Sequence, residues 1–125
     1  MKKYYKAYNK NIHIVVNNII PFGKYTTINI FGILFTKIKK GVLTNKTVNH
    51  ELIHTKQMIE LGFIGFYLWY CIEYLIIRLF HKKQGDVYRD VSFEEEAYAN
   101  EKDFNYLNNR KHYSWLKYIK VKSNV

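Results

Sequence analysis

Residues 49–54 carry two histidines and a glutamate at a spacing that suits metal chemistry. The segment reads NHELIH, so His50 and His54 are four residues apart and Glu51 follows the first of them. On a helix, residues four apart lie one above the other, so both imidazoles can reach one ion. Zinc binds imidazole nitrogen readily and prefers four ligands in a tetrahedron. Glu51 could then accept a proton from a zinc-activated water and return it to a leaving amine.

A catalytic zinc site also needs a third protein ligand and an open fourth position. Glutamates farther along the chain supply the candidates. Glu94 shares one side of a predicted helix with Ala97 and Tyr98, and a small alanine lets two helices approach closely. Glu94 is therefore the first choice for the third ligand. Glu96 is the second choice, and Glu101, two turns beyond Glu94 on the same face, is a weaker one.

The pattern HELIH followed by Gln57, with a later E-x-x-A helix, resembles the gluzincin zinc metallopeptidases. More narrowly, it is similar to small bacterial metallopeptidase-like domains of the HExxHxxQ type. The resemblance implies that His50, His54 and Glu94 bind zinc and that Glu51 is the general base. The HELIH motif is the most specific part of this resemblance.

The resemblance extends at most over residues 25–107 and implies a zincin-like fold. In that fold a β-strand edge above the active-site helix holds an extended peptide, and the strand around residues 28–36 is the natural counterpart. Gluzincins commonly carry an aspartate four residues after the ligand glutamate, where it orients a ligand histidine. Tyr98 stands at that position here, and a phenol cannot supply the carboxylate.

Gluzincins also use a histidine or a tyrosine to stabilise the oxyanion that forms during hydrolysis. The resemblance points to four candidates, and the sequence does not choose among them: Tyr88, Tyr98, His112 and Tyr113. Tyr98 and Glu51 make up the predicted catalytic set.

Short runs of β-branched and aromatic residues precede the helical patterns along the chain. Residues 13–16 predict one strand, and residues 25–37 predict one or two strands around Gly32. Thr44 or Thr47 can cap the helix that carries the histidines. Further helices are predicted at residues 63–81, 92–107 and 115–119.

Two of these helices carry more detailed signals. In the first, one stripe is formed by Val48, Leu52, Thr55 and Ile59. Before the third helix, Ser92 and Glu95 have the spacing of a capping box, with Ser92 as the N-cap. The inward stripe of that helix is predicted to be Phe93, Ala97, Asn100, Phe104 and Leu107.

The order of the elements predicts an α+β domain rather than a parallel α/β sheet. We expect a single domain over residues 1–125, with a short N-terminal antiparallel β-hairpin or sheet followed by three to four helices. The resemblance implies that the arrangement is zincin-like. Residues 1–11 and 121–125 are expected to be loosely ordered.

The composition excludes several other classes of protein. With 48% hydrophobic and 24% charged residues, the chain is not a disordered one. One cysteine excludes an internal disulfide, and also the zinc ribbons and fingers that need two or more cysteines. The net charge of +10 favours a phosphate-rich partner, either nucleic acid or an anionic membrane. Only three of the twenty cations are arginine, so nucleic acid is the less favoured partner.

The apolar run at residues 61–80 is long enough to cross a bilayer, and Glu73 and Arg78 are its charged residues. A single pass would place His54 and Glu94 on opposite sides of a hydrocarbon layer about 30 Å thick, so they could not share an ion. We therefore favour a core helix over an interfacial helix, and a membrane span least of all.

These observations predict a zinc-dependent metallopeptidase that hydrolyses peptide bonds in a peptide or protein substrate, with Zn²⁺ as its cofactor. The alternative is a basic membrane-peripheral or nucleic-acid-binding protein whose metal site is inactive or structural. Residues 61–83 are the candidate for peripheral membrane contact. No small-residue cleavage site follows the basic N-terminus, which predicts a cytoplasmic protein, membrane-associated at most.

Overall fold

The computed structural model describes residues 2–7, 10–17, 19, 27–37, 44–80 and 87–119, so the C-terminal residues expected to be loosely ordered lie outside the described residues. Four strands come first: β1 (Lys2–Ala7), β2 (Lys10–Val16), β3 (Thr27–Ile30) and β4 (Ile33–Thr36). Four α-helices follow: α1 (Asn45–Glu60), α2 (Ile64–Phe80), α3 (Ser92–Asn100) and α4 (Tyr106–Asn109). Short 3-10 helices lie at Tyr88–Asp90 and Ser114–Tyr118. The predicted α+β architecture, with strands before helices, is confirmed.

The four strands form one mixed sheet in the order β1-β2-β4-β3. Strands β1 and β2 pair antiparallel, as do β3 and β4, while β2 and β4 pair parallel and join the two hairpins. The parallel pairing goes beyond the antiparallel sheet that the sequence predicts. Part of the segment expected to be loosely ordered, Lys2–Ala7, instead pairs along its whole length with β2.

The turn between β3 and β4 brings the second hairpin against α1. Phe31 and Gly32, its two central residues, have positive φ angles of 51° and 90°, the pattern of a type I′ turn. Asn29 on β3 accepts a hydrogen bond from the Gly32 N–H (2.8 Å) and donates to the main-chain oxygen of Glu51 (2.8 Å). It also donates to Thr55 Oγ1 (2.8 Å). One buried amide therefore fixes both the turn and the position of β3 on the histidine helix.

Helix α1 begins where the sequence predicts. Thr44 is the N-cap, and its Oγ1 accepts from the Thr47 N–H at 3.1 Å. The inward face differs from the predicted stripe, because Ile59 is 56% exposed. Polar side chains take up much of the buried face, which consists of Val48, Asn49, His50, Ile53, His54, Gln57 and Met58.

Helices α1 and α2 meet at a corner formed by residues 61–63. Gly62 and Phe63 both have positive φ angles there (67° and 63°), and Phe63 packs on Phe31 with ring centroids 6.0 Å apart. Among the described residues, no single helix has the length and apolar composition needed to cross a membrane. Within the same part of the chain, only α1 and α2 taken as a pair pass that test, and the pair is bent by 106°.

The N-terminus of α3 is held by a carboxylate from α2. Ser92 donates through its Oγ to Glu73 Oε1 (2.6 Å) and through its N–H to Glu73 Oε2 (2.8 Å). The N-cap position belongs to Val91, which makes no side-chain capping bond. The predicted capping box of Ser92 and Glu95 is therefore wrong, because the Ser92 hydroxyl is used by the buried Glu73.

Helix α3 ends at Asn100, earlier than the sequence pattern predicts. Asn49 on α1 donates through Nδ2 to the main-chain oxygens of Glu101 (2.7 Å) and Asp103 (3.1 Å) and holds the chain in a turn. Phe104, predicted to face inward, is 49% exposed. Phe93 and Ala97, from the same predicted stripe, are fully buried. The core cluster to which Phe93 belongs consists of Met58, Phe66, Ile77, Val87, Val91, Phe93 and Trp115.

Candidate metal centre

The two histidines of the motif lie on the buried face of α1 and point to a common centre. His50 and His54 are 8% and 5% exposed, respectively. Their Nε2 atoms are 3.2 Å apart, and the rings meet edge-on with centroids 4.8 Å apart. The helical spacing that the sequence predicts therefore places both imidazoles at one point.

Glu94 on α3 completes the cluster from the opposite side. Its Oε1 lies 3.2 Å from His50 Nε2 and 3.2 Å from His54 Nε2. The three donor atoms thus form a triangle with equal sides. In a tetrahedral zinc site, with ligands about 2.0–2.1 Å from the ion, neighbouring ligand atoms are about 3.3–3.4 Å apart. His50, His54 and Glu94 therefore match one face of such a tetrahedron in size and chemistry, which leaves a fourth corner for a water or a substrate.

Each histidine is oriented by a second partner on its other ring nitrogen. His50 Nδ1 lies 2.8 Å from Glu101 Oε1, and His54 Nδ1 lies 2.8 Å from Gln57 Oε1. When these Nδ1 atoms carry hydrogen and donate, both Nε2 lone pairs point to the cluster, as metal binding requires. Glu101, weighed from the sequence as a third ligand, is thus not part of the ligand triangle. Its carboxylate contacts the His50 ring from a position three residues after Tyr98.

The other second-choice ligand, Glu96, belongs to a different cluster. Its side chain is fully buried and accepts from Gln57 Nε2 (2.9 Å), Tyr106 and Arg110. Gln57 therefore links the two clusters, since its Oε1 faces His54 and its Nε2 faces Glu96. Glu96 ties α3 to α1 and α4 and does not approach the histidines as a ligand.

Glu51, the predicted base, lies beside the cluster. Withdrawal from water raises the pKa of its carboxyl group, an effect that the charges of His54 and His50 oppose without cancelling. A carboxylate with a raised pKa is a stronger base, which suits proton transfer near neutral pH. Its main-chain oxygen is held by Asn29 on β3.

Two tyrosines on α2, which the sequence pattern did not single out, approach the site. Tyr70 donates to Glu94 Oε2 at 3.0 Å and so fixes the carboxylate oxygen that does not face the histidines. The Tyr67 hydroxyl accepts from the Phe31 N–H (3.1 Å) and donates to the Asn29 main-chain oxygen (3.3 Å). Burial raises the pKa of Tyr67, and the nearby Glu51 charge raises it further. Phenols three residues apart in a mostly apolar helix were the available signal.

The residues predicted as candidates for oxyanion stabilisation do not all lie near the cluster. The Tyr98 and His50 rings meet edge-on with centroids 4.6 Å apart, and the Arg89 guanidinium lies over the Tyr98 ring, 4.1 Å from its centroid. Tyr98 thus flanks a candidate ligand, and its part in catalysis stays a prediction. His112 and Tyr113 instead contact Glu60 at the far end of α1. The Tyr88 side chain lies outside the described part of the structure.

Removing the Glu101 side chain is expected to weaken zinc binding. Glu101→Ala leaves His50 without its Nδ1 partner, and loss of such a partner lowers metal affinity by about 10–100-fold. Glu101→Gln keeps an acceptor oxygen and should lose less. Zinc titration against a competing chelator measures both. Lys46→Ala is the control, because it removes the 3.8 Å ion pair between Lys46 and Glu101 and keeps the Glu101 carboxylate. Wild-type affinity in Glu101→Ala would contradict the orienting role.

Zinc binding is expected to displace a proton and to tighten as the pH rises. Burial alone would lower the pKa of His54, but the adjacent Glu94 carboxylate outweighs it and raises the pKa to about 9. A zinc ligand must be neutral imidazole, so below that pH each zinc displaces one proton. The apparent affinity should rise roughly tenfold per pH unit between about pH 7 and pH 8.5, and then level off. Calorimetry in buffers of different ionisation enthalpy counts the protons, and an affinity independent of pH would refute the linkage.

Comparison of the chain with protein-family models, with curated proteins and with solved structures finds no significant match. The case for a function therefore depends on the residues and geometry of the cluster, together with the motif that contains its histidines.

Proposed function

We propose that this protein is a zinc-dependent metallopeptidase whose metal ligands are His50, His54 and Glu94. The observation that carries the proposal is the equilateral triangle of donor atoms, 3.2 Å on each side, with each histidine oriented from behind. A hydrogen-bonded trio with no metal role would not need Glu101 and Gln57 to aim both Nε2 atoms at one point.

The residues around the triangle have distinct tasks in this proposal. Zinc bound there supplies an acidified water and polarises the carbonyl of a peptide bond. Glu51 accepts the proton from the attacking water and passes it to the departing amine. Tyr70 keeps the Glu94 carboxylate in place, and Glu101 and Gln57 keep the two imidazoles in place.

Strand β3 supports a peptide as the substrate. It is the last strand in the sheet order, and Asn29 fixes it to α1 next to Glu51. Edge strands bind extended peptides through their main-chain groups. Tyr67 already bonds to main-chain groups of Asn29 and Phe31, so a peptide that pairs at those positions must displace its hydroxyl.

Metal content is the experiment that tests the proposal first. Elemental mass spectrometry of purified wild type should find close to one zinc per chain, and His54→Ala and Glu94→Gln should both lose it. Glu95→Gln removes the same charge from the residue next to Glu94 and should keep the zinc. Circular dichroism of each variant separates loss of the ligand from loss of the fold. No zinc in wild type after zinc is offered would overturn the proposal.

A zinc site that serves only the fold gives a different result in the same preparation. In that case a chelator unfolds the protein, because binding energy is then folding energy. A catalytic site in this fold predicts that chelation abolishes hydrolysis while the circular dichroism spectrum is retained, since none of the three proposed ligands belongs to the core cluster of Phe66 and Phe93.

A further inference from the structure

Helix α2 presents a row of large aliphatic side chains to solvent. The exposed fractions along this row are high: Ile64 66%, Leu68 61%, Ile72 47%, Leu75 53% and Leu79 64%. The spacing of three and four residues places all five on one side of the helix. We call this set the aliphatic row. A continuous row of exposed apolar side chains is typical of a surface that contacts another protein or a membrane.

The opposite side of α2 is fixed in the protein, so the aliphatic row cannot turn inward. Phe66, Glu73 and Ile77 are buried there. The Glu73 carboxylate bonds to the Oγ and N–H of Ser92, which locks the rotation of α2 relative to α3. The side that carries the buried glutamate thus faces the core, and the uncharged side faces out. Rotating α2 would break a buried, charge-assisted pair of hydrogen bonds.

The exterior is more cationic than the net charge of +10 indicates. Five of the ten acids have side chains that are 12% exposed or less, namely Glu60, Glu73, Glu94, Glu96 and Glu101. One cation that pairs with two of them, Arg110, is also buried, with its side chain 3% exposed. The chain also continues after Phe80 with His81, Lys82 and Lys83. Half of the acids are therefore buried inside the protein, so their charge is withdrawn from the surface and the overall excess of cations is less balanced there.

We infer that the aliphatic row docks on an anionic membrane surface, with α2 lying in the plane of the interface. Apolar side chains on one face, together with a lysine excess, are the two features that bind interfacial helices to acidic lipids. A second copy of the chain offers an equal apolar row but brings another +10 of like charge. The charge therefore selects lipid over self-association as the occupant.

This placement puts the cluster of His50, His54 and Glu94 close to the membrane but outside it. The Tyr70 hydroxyl, on the inner side of α2, reaches Glu94. One helix diameter, about 10–12 Å, thus separates the cluster from the lipid surface. Segments of other proteins that emerge from a membrane would pass the cluster at this distance from the lipid surface.

Vesicle flotation with a matched pair of variants tests the inference. Wild type should float with phosphatidylcholine vesicles that contain 30 mol % phosphatidylglycerol, and much less with phosphatidylcholine alone. Leu75→Glu should lower the partition coefficient at least roughly tenfold, because the variant loses a leucine that would insert into the lipid and gains a charge in its place. Leu116→Glu is the control, since Leu116 lies outside α2 and both leucines are 53% exposed. It should keep most of the binding.

Several results would overturn the inference. These are no flotation of wild type, equal flotation with both vesicle types, or equal loss in both variants. Light scattering after size exclusion checks for self-association, and a wild-type dimer that Leu75→Glu makes monomeric would identify a second copy as the occupant. Zinc content should be unchanged in Leu75→Glu, so failure of lipid binding and failure of the metal proposal are read separately.

Discussion

Glu51→Gln is expected to keep its zinc and lose about 10²–10⁴-fold of the peptide-hydrolysis rate, the range that a positioned general base contributes. The amide has the size of the carboxylate but cannot accept the proton. Neither the ligand triangle nor the contact from Asn29 depends on the Glu51 side chain, because Asn29 bonds to its main-chain oxygen. The fold and the metal should therefore survive the change.

Cleavage of a defined peptide library, followed by mass spectrometry, measures this loss for any substrate sequence that the library contains. Glu95→Gln serves as the charge-matched control, because Glu95 lies outside the ligand triangle. The wild type should cleave and Glu95→Gln should cleave at a similar rate. Cleavage by Glu51→Gln at the wild-type rate, with zinc present, would show that Glu51 is not the base.

The ligand triangle was predictable because helical periodicity alone brings its histidines together. His50 and His54 share a face at a spacing of four residues, and Glu94 followed from the proximity of a small residue, Ala97, which is fully buried. The inward stripe of α1 was predicted less well. A prediction based on apolar spacing places Ile59 in the core and His50 on the surface. In the structure the polar side of α1 is buried instead, because the hydrogen bonds of the cluster offset the cost of burying polar side chains.

The contact of the Glu101 carboxylate with His50 and the end of α3 could not be predicted from the local sequence. Glu101 reaches His50 because α3 stops at Asn100 and the chain turns, and Asn49 on another helix holds that turn. Contacts between residues about fifty positions apart leave no periodic signal in either segment. The hydrogen bond from Ser92 to Glu73 on another helix likewise leaves no periodic signal, and it takes the place of the predicted capping box.

The second large effect is expected at Arg110, which joins three elements through two buried acids. Its guanidinium lies 2.7 Å from Glu60 Oε2 on α1 and also contacts Glu96 on α3. The side chains of Arg110, Glu60 and Glu96 are 3%, 4% and 0% exposed. Removing one partner of a buried ion pair leaves an uncompensated charge, which costs about 3–5 kcal/mol. Arg110→Met, similar in length, should therefore lower the free energy of unfolding by that amount.

Urea denaturation measures the change, with Lys111→Met as the control, since Lys111 is the exposed neighbour. The pH dependence of the stability difference between the two proteins provides a second test. Burial alone would raise the pKa of Glu60, but in the wild type the bonds from Arg110 and Tyr113 lower it.

A lowered carboxyl pKa contributes stability above the unfolded value, about 4.3, and that stability is lost as the pH falls through the folded value. Without Arg110, burial is opposed only by weaker partners, so the pKa of Glu60 should rise. Relative to the wild type, the variant should then gain stability as the pH falls from about 7 to about 5, because protonation of Glu60 removes the unpaired charge. Parallel pH profiles for the two proteins would show that Arg110 acts through packing rather than through its charge.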